Sequence, residues 1–230
     1  MDDAFEIHDG TFADYAALAR FHYRAGAPAR PVRVLRARAE GETVGVLVVA
    51  SPTLNGAWRG VAWPGLWRGL GKRDAARALN ARVRTIARVV VDPRCRGLGV
   101  AKALVRAYLD DPCTSHTEAV AAMGAVSPFF AGAGMREVPT PPRQRERALG
   151  RALAREGLRA WELMDERACV RALERAPRLR RAVLAYARAG RGTRTDARAL
   201  RDSTIDGNWV DMAARAASAL VAPPRAYVWP

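Results

Sequence analysis

The chain has 230 residues, half of them hydrophobic, so it can bury a sizeable core in one large domain or in a medium domain with an appendage. It contains no run of about 18 apolar residues, which argues against a membrane span, and its acidic start Met1-Asp2-Asp3 lacks the features of a secretory signal, so we expect a cytoplasmic protein. The net charge of +15 is weak support for a nucleic-acid partner, because 36 of the 38 basic residues (38 minus Lys72 and Lys102) are arginines, a bias that a G+C-rich genome produces without functional pressure.

The three cysteines, Cys95, Cys113 and Cys169, share no CxxC spacing. We therefore expect reduced thiols, with neither a disulfide framework nor a metal site.

Helix and strand patterns alternate through residues 1–140. Thr11 and Asp14 have the spacing of a capping box, and the helix that they would begin carries His22 at the end of its apolar stripe. The run Val44–Val49 is apolar nearly throughout, which predicts a strand buried on both faces. In chain order, the predicted elements are a strand at Phe5–His8, a helix at Ala13–Arg24, a hairpin of strands at Val32–Ala39 and Thr43–Ala50, a helix at Lys72–Val83, a strand at Thr85–Val91, a helix at Val100–Leu109 and a strand at Thr117–Met123.

An irregular segment at Ser51–Gly71 holds Trp58, Trp63 and Trp67, interleaved with arginines. Such a segment can stack on a nucleic-acid base or cover a ligand, or it can simply fold over the core. We favour the core interpretation.

Prolines at 139, 141 and 142 mark a boundary, after which apolar residues recur at helical spacing. The predicted helices of this second part are Gln144–Leu158, Asp165–Arg175, Pro177–Arg188 and Val210–Val221. We therefore expect an arginine-rich helical extension over residues 141–230, after a first domain over residues 1–140.

The run Val89–Ala101 carries the clearest functional pattern. An apolar strand ends at Asp92-Pro93, and a helix begins just after Gly97 and Gly99. Main-chain N–H groups at a helix start have no partners within the helix, and the two glycines let the backbone approach a ligand closely. With Arg96 adding positive charge, this pattern predicts an anion site suited to a pyrophosphate.

Two other phosphate-binding signatures fit this chain less well. A nucleotide P-loop requires Ser or Thr after the lysine, and Arg73 follows Lys72. A dinucleotide fingerprint requires a third glycine where Ala101 or Ala103 stands.

Arg96-x-x-Gly99-x-Ala101 matches the coenzyme A signature [QR]-x-x-G-x-[GA], and on this motif the sequence resembles the GNAT superfamily of acetyltransferases. The order of elements from Phe5 to Val138 is also similar to that family's. A second match lies at Ser127–Met135, where the family often reads Y-x-x-x-G-F and this chain has phenylalanine, Phe130, in place of the tyrosine.

The resemblance implies acetyl-CoA as the co-substrate. Its pantetheine arm would pair with the central strand, its pyrophosphate would lie on the amides from Arg96 through Ala101, and one strand amide, such as that of Val91, would stabilise the oxyanion. The phenylalanines could line the pantetheine tunnel or pack in the core. The implied cofactor-binding residues are Val89, Val90, Val91, Arg96, Gly97, Leu98, Gly99, Val100, Ala101, Lys102, Phe129 and Phe130.

The proton-transfer groups are less clear from the sequence. In many members of the family the tyrosine protonates the leaving thiolate, which Phe130 cannot do. For the general base that accepts the amine proton, we select His22 and Glu118 from a set that also includes His116 and Asp92; Asp92 is better explained as a turn former.

The sequence therefore predicts an α/β protein with a mixed, mainly antiparallel sheet flanked by helices, followed by the helical extension. The predicted function is an N-acetyltransferase that moves an acetyl group from acetyl-CoA to an amine by direct attack. The alternatives are a non-catalytic GNAT-like module that binds CoA and a module that binds RNA. The acceptor is open between a small molecule, a protein and an RNA, and the extension could cover the acceptor cleft or form a homodimer.

Overall fold

A computed structural model describes residues 5–22, 26–189, 205 and 207–230, and its main feature is a sheet with strand order β1-β2-β3-β4-β5-β7-β6. Neighbouring strands are antiparallel except β4 and β5, which are parallel. The strands are β1 Glu6–Asp9, β2 Pro31–Ala39, β3 Glu42–Ala50, β4 Val83–Val91, β5 His116–Ala121, β6 Arg136–Val138 and β7 Arg225–Trp229. The predicted mixed, mainly antiparallel α/β fold is confirmed.

Helices follow or precede most of these strands. They are α1 Phe12–Leu18, α2 Arg59–Ala62, α3 Lys72–Arg82, α4 Val100–Asp110, α5 Phe129–Gly132, α6 Gln144–Arg155, α7 Glu166–Arg175, α8 Pro177–Ala189 and α9 Gly207–Val221. None of these described helices combines the length and the apolar character that crossing a membrane requires.

The chain divides into two compact units, and the first contains both ends of the chain. Unit 1 comprises residues 1–140 and 224–230, and unit 2 comprises residues 141–223. The sequence led us to assign residues 141–230 to a helical extension, but β7 at Arg225–Trp229 enters the sheet between β5 and β6. Unit 2 is thus inserted between two strands of unit 1. A short strand that pairs with distant segments leaves no local periodicity by which to predict it.

The sheet of unit 1 has a separate apolar cluster on each face. On one face, Val100, Leu104 and Tyr108 of α4 pack with Leu47 and other sheet residues. On the other face, Tyr15 and Leu18 of α1 pack on a second set of strand residues, Val46, Val48 and Val90. Both faces of β3 are therefore covered, as its continuous apolar sequence predicts.

Helix α1 is shorter than predicted. Its capping box is present, with the Thr11 N–H donating to the Asp14 carboxylate at 2.7 Å. Regular helix ends at Leu18, and a 3-10 segment continues to Phe21, so His22 follows the helix in an extended conformation. The remaining predicted helical positions, 23 and 24, lie outside the described residues. The aromatic side chains in this stretch are poor helix formers, which favours the early end.

Unit 2 has its own hydrophobic core, which the four helices α6 to α9 and the 3-10 segment Ala160–Met164 enclose. Its fully buried members include Leu149, Leu163, Leu173 and Leu179, with Trp209 of α9 also in the cluster. Such a core fits the apolar spacing from which these helices were predicted.

Helix α4 lies close to the sheet because residue 45 of β3 is a glycine. A Cβ atom at Gly45 would lie 2.7 Å from Cγ1 of Val100 and 3.2 Å from a methyl group of Leu104. Both neighbours are buried in the same cluster, so neither can move freely away.

We predict that Gly45→Ala lowers the free energy of unfolding by about 1–3 kcal/mol, because the added methyl group overpacks the contact between β3 and α4. Chemical denaturation measures this. The control is Gly60→Ala in α2, where an added Cβ meets no atom within 4 Å. Equal stability of the Gly45→Ala variant and the parent would contradict the close packing.

Candidate active site

The candidate site that the sequence predicts around β4 lies where this strand separates from β5. The two strands pair in parallel only from Val83 with His116 to Ile86 with Ala119. At the same point the register of β4 against β3 shifts, because Ile86 and Arg88 oppose successive residues of β3 and Ala87 is extra. A bulge of this kind bends and twists a strand, and here it coincides with the end of pairing to β5.

Beyond the bulge, one edge of β4 faces the opening between the strands. The Asp92 N–H donates to the Val44 carbonyl of β3 at 2.8 Å, and Val90 lies opposite Val46 of β3. Because successive residues of a strand direct their N–H and C=O groups to opposite edges, Val89 and Val91 direct theirs away from β3. Among the described strands none pairs with this edge, so these groups are available to a ligand that adds like a strand.

The turn after β4 leaves a run of main-chain N–H groups unused. Within the described chain, the amides from Gly97 through Lys102 donate to no protein acceptor, and the first amide that closes the helix is Ala103 N–H to the Gly99 carbonyl, at 3.0 Å. The Arg96 amide, which we predicted as part of the pyrophosphate site, already donates to the Pro93 carbonyl at 3.4 Å. The free amides therefore begin one residue later than predicted.

The two glycines of this turn have the backbone conformation that only glycine adopts readily. Gly97 and Gly99 have φ of 83° and 85°, and a Cβ at either position would point into open space. The side chains of Arg96, Leu98 and Lys102 are exposed around the turn. The positive end of α4 and these basic groups fit a diphosphate.

Asp92 fixes the start of the turn. Its carboxylate accepts hydrogen bonds from the Arg94 main chain at 2.9 Å and from the Arg94 side chain at 3.1 Å. These side-chain and main-chain hydrogen bonds from Arg94 hold the pKa of Asp92 below its usual value. The residue is thus a turn former, as predicted, and is poorly suited to accept a proton.

Comparison with protein families assigns residues 2–111, which contain β1 to β4, the turn at Arg96–Gly99 and α4, to the acetyltransferase (GNAT) family. This part of the chain belongs to the GNAT family. No curated protein matches the chain. The family is one of acetyltransferases, so the matched domain is of the acyltransferase type. Strands β5 to β7 continue its sheet within unit 1, which we call the GNAT domain.

The phenylalanines of α5 lie beside α4 in the GNAT domain. Phe130 is buried, with its ring centroid 4.3 Å from that of Phe129 and 5.4 Å from that of Tyr227. Phe130 therefore takes part in the core, and Phe129 is partly exposed at the edge of the same cluster. The Tyr227 hydroxyl is committed to the Gly124 carbonyl at 3.2 Å.

Glu118, which we selected as a candidate base, is fully enclosed. Its carboxylate forms two hydrogen bonds with the Arg59 guanidinium, at 2.6 and 2.7 Å, and accepts further bonds from Trp58 Nε1 at 2.9 Å and the Thr85 hydroxyl at 2.8 Å. Only 1% of the residue is exposed. With every oxygen bonded to a donor, Glu118 is arranged to hold the segment at 58–59 against the sheet, which argues against the predicted base role.

The tryptophan segment folds over the sheet in the way that the core interpretation predicts. Trp58 is buried, and Trp63 stacks on His116 with ring centroids 4.9 Å apart. Trp63 also donates to the Pro230 carbonyl at 2.9 Å, which ties the segment to the end of the chain. Trp58 is therefore not available to stack on a nucleic-acid base.

The candidate histidines occupy different places. His22 follows the 3-10 segment after α1, on the face of the sheet that α1 covers, and it is partly exposed. His116 begins β5 at the paired end, away from the opening between β4 and β5. Burial and then the charge of Arg82 lower the pKa of His116, which favours its neutral form.

Two arginines near the opening were not predicted from the sequence. Arg59 pairs with Glu118, and Arg88 lies on β4 immediately after the bulge. Arg88 did leave a signal, because it is a charged residue inside the otherwise apolar run Ile86–Val91. Arg59 was visible only as one of the arginines among the tryptophans, and its pairing left no signal, since its partner lies 59 positions along the chain.

We predict that Glu118→Gln and Arg59→Met each lower the free energy of unfolding by about 3–5 kcal/mol, because each leaves a buried charge without its partner. In the double variant both charges are gone, so its loss should be clearly smaller than the sum of the two single losses. Denaturant titration of the parent, the two single variants and the double variant measures this coupling. Additive losses would show that the two side chains do not act as a pair.

Proposed function

We propose that the GNAT domain is an N-acyltransferase that takes its acyl group, most simply acetyl, from an acyl-CoA and transfers it to an amine. The observation that carries the proposal is the run of unbonded amides from Gly97 through Lys102 beside the open edge of β4. The two features lie at the end of one strand and at the start of the helix that follows it, so one extended ligand with a diphosphate can use both.

Different residues of the site would bind different parts of CoA. The open edge at Val89 and Val91 would hold the pantetheine amides, while the turn amides, with Arg96 and Lys102 close by in sequence, would hold the diphosphate. CoA when bound supplies an acyl thioester, whose carbonyl carbon is open to an amine. The Val91 N–H, which is directed into the opening, can donate to an oxygen atom that gains negative charge during transfer.

The amine must be neutral to attack, and we propose that His22 rather than Glu118 takes its proton. Glu118 is closed within its ion pair, whereas His22 is partly exposed on the face that α1 covers. A histidine also titrates near neutral pH, which suits a general base.

A second candidate function, CoA binding without turnover, is favoured by one observation. Phe130 stands at the position where many GNAT enzymes have a proton-donating tyrosine, and it is buried in the core. Its ring has no proton to give to a thiolate, so turnover requires water or another donor.

Calorimetry with CoA tests the proposed site, and we expect a dissociation constant in the micromolar range. Gly99→Ala should weaken CoA binding by about tenfold or more, because alanine strains the left-handed backbone and displaces the amides. Gly41→Ala is a matched control, since Gly41 has nearly the same φ, 83°, in the β2–β3 turn and equally open space.

We expect both glycine variants to lose similar stability and only Gly99→Ala to lose CoA affinity. Absence of heat with millimolar CoA would contradict the proposal. Release of free thiol from acetyl-CoA with a panel of amines then separates the two candidate functions, because a binding module gives no thiol above the hydrolysis background.

A further inference from the structure

The GNAT domain contains a buried cationic side chain that no acidic group among the described residues neutralises. Among the described residues, the buried charged side chains are Arg59, Arg88, Asp92 and Glu118. Arg59 and Glu118 form an ion pair, and Asp92 pairs with Arg94. Arg88 is 9% exposed and has no carboxylate within 4.0 Å in the described part of the chain.

The hydrogen bonds of Arg88 leave much of its guanidinium unused. One terminal nitrogen donates to the Ala87 carbonyl at 2.8 Å, and the other reaches the Gly26 carbonyl at 3.5 Å. The Gly26 carbonyl also accepts the Tyr15 hydroxyl at 3.2 Å. The Nε of Arg88 is buried and has no partner. Burial of an unpaired charge is strongly unfavourable, so a persistent one is typical of a binding site.

The position of Arg88 places this charge at the opening between β4 and β5. It is the first residue after the bulge at Ala87, and its partner across the ladder is Val48. Directly paired residues share a face of a sheet, and Val48 belongs to the cluster beneath α1. Arg88 therefore lies on the face opposite to α4, whose N-terminal turn carries the free amides.

The ion pair of Arg59 shows how this fold neutralises a buried arginine when the role is structural. That guanidinium has a carboxylate on its Nε and one terminal nitrogen, and carbonyl acceptors on the other. Arg88 has the carbonyl acceptors without the carboxylate. The acceptor that is missing is a carboxylate; because Nε is enclosed, such a carboxylate would accept the remaining N–H groups of the terminal nitrogens.

We propose that Arg88 binds a carboxylate group of the acyl acceptor, so that the acceptor is an amine that carries a carboxylate, as an amino acid does. This inference rests on the proposed function of the same site. One carboxylate matches one buried guanidinium in charge, whereas a phosphate dianion would leave negative charge unpaired. The amine of such an acceptor is held on the α1 face, beside the open edge of β4.

The test uses the full chain, saturated with CoA for the melting measurements and with acetyl-CoA for turnover, and pairs of probes that differ only in the carboxylate. Each common amino acid is compared with the amine that remains when its carboxyl group is removed. We expect at least one amino acid to raise the melting temperature more than its paired amine, and to be acetylated with a kcat/KM about tenfold or more higher, since a site built for a polar group rejects analogues that lack it.

Arg88→Met is the diagnostic variant, and Arg84→Met is its control. Arg84 lies on the same strand two residues before Ile86, which packs in the cluster beneath α4, so Arg84 is on the face opposite to Arg88. It is partly exposed, and its Nε is buried without a partner like that of Arg88. We expect Arg88→Met to remove the preference for the carboxylate and, because it removes an uncompensated charge, to raise the melting temperature of the free protein. Arg84→Met should retain the preference.

Calorimetry with CoA on the same variants keeps the two hypotheses apart. Absence of CoA binding by the parent protein would overturn the proposed function. CoA binding by the parent without any carboxylate preference would overturn only this inference. A carboxylate preference that survives in Arg88→Met, or a lower melting temperature of that variant with no effect on the preference, would also overturn it.

Discussion

The extra residue at Ala87 shifts the register of β4 against β3 at the same point where β4 stops pairing with β5. The bulge bends and twists β4, and beyond it β4 stays paired with β3 while its other edge is left open. The open edge, the turn that follows it and the N-terminus of α4 are consecutive in the chain. The proposed ligand site of this GNAT domain therefore depends on a local irregularity of one strand.

Buried charge has two different arrangements around this opening. The Arg59–Glu118 pair is closed on itself and holds the Trp58 segment on the sheet. Arg88 has no such partner in the described part of the chain, although it lies on the same strand as Thr85, which contacts the pair. The proposed carboxylate of the acceptor would supply the negative charge that Arg88 lacks.

Most of the fold could be predicted from local patterns, and the site could be predicted in part. Helix α4 and strand β4 could be predicted from apolar periodicity, and the turn between them from Gly97 and Gly99. The bulge, the return of the chain to form β7 and the pairing of Glu118 with Arg59 depend on contacts between distant segments, which periodicity does not contain. For that reason Glu118 could be selected as a base from the sequence, although in the structure its oxygens are fully hydrogen-bonded.

The central claim is that the amides from Gly97 through Lys102 are free to bind a diphosphate. Hydrogen–deuterium exchange measures the protection of these amides directly. The account predicts fast exchange of these amides in the free protein, strong slowing by CoA and little slowing by pantetheine, which lacks the diphosphate. Slow exchange of the same amides without any ligand, or equal slowing by both compounds, would contradict a diphosphate site at this turn.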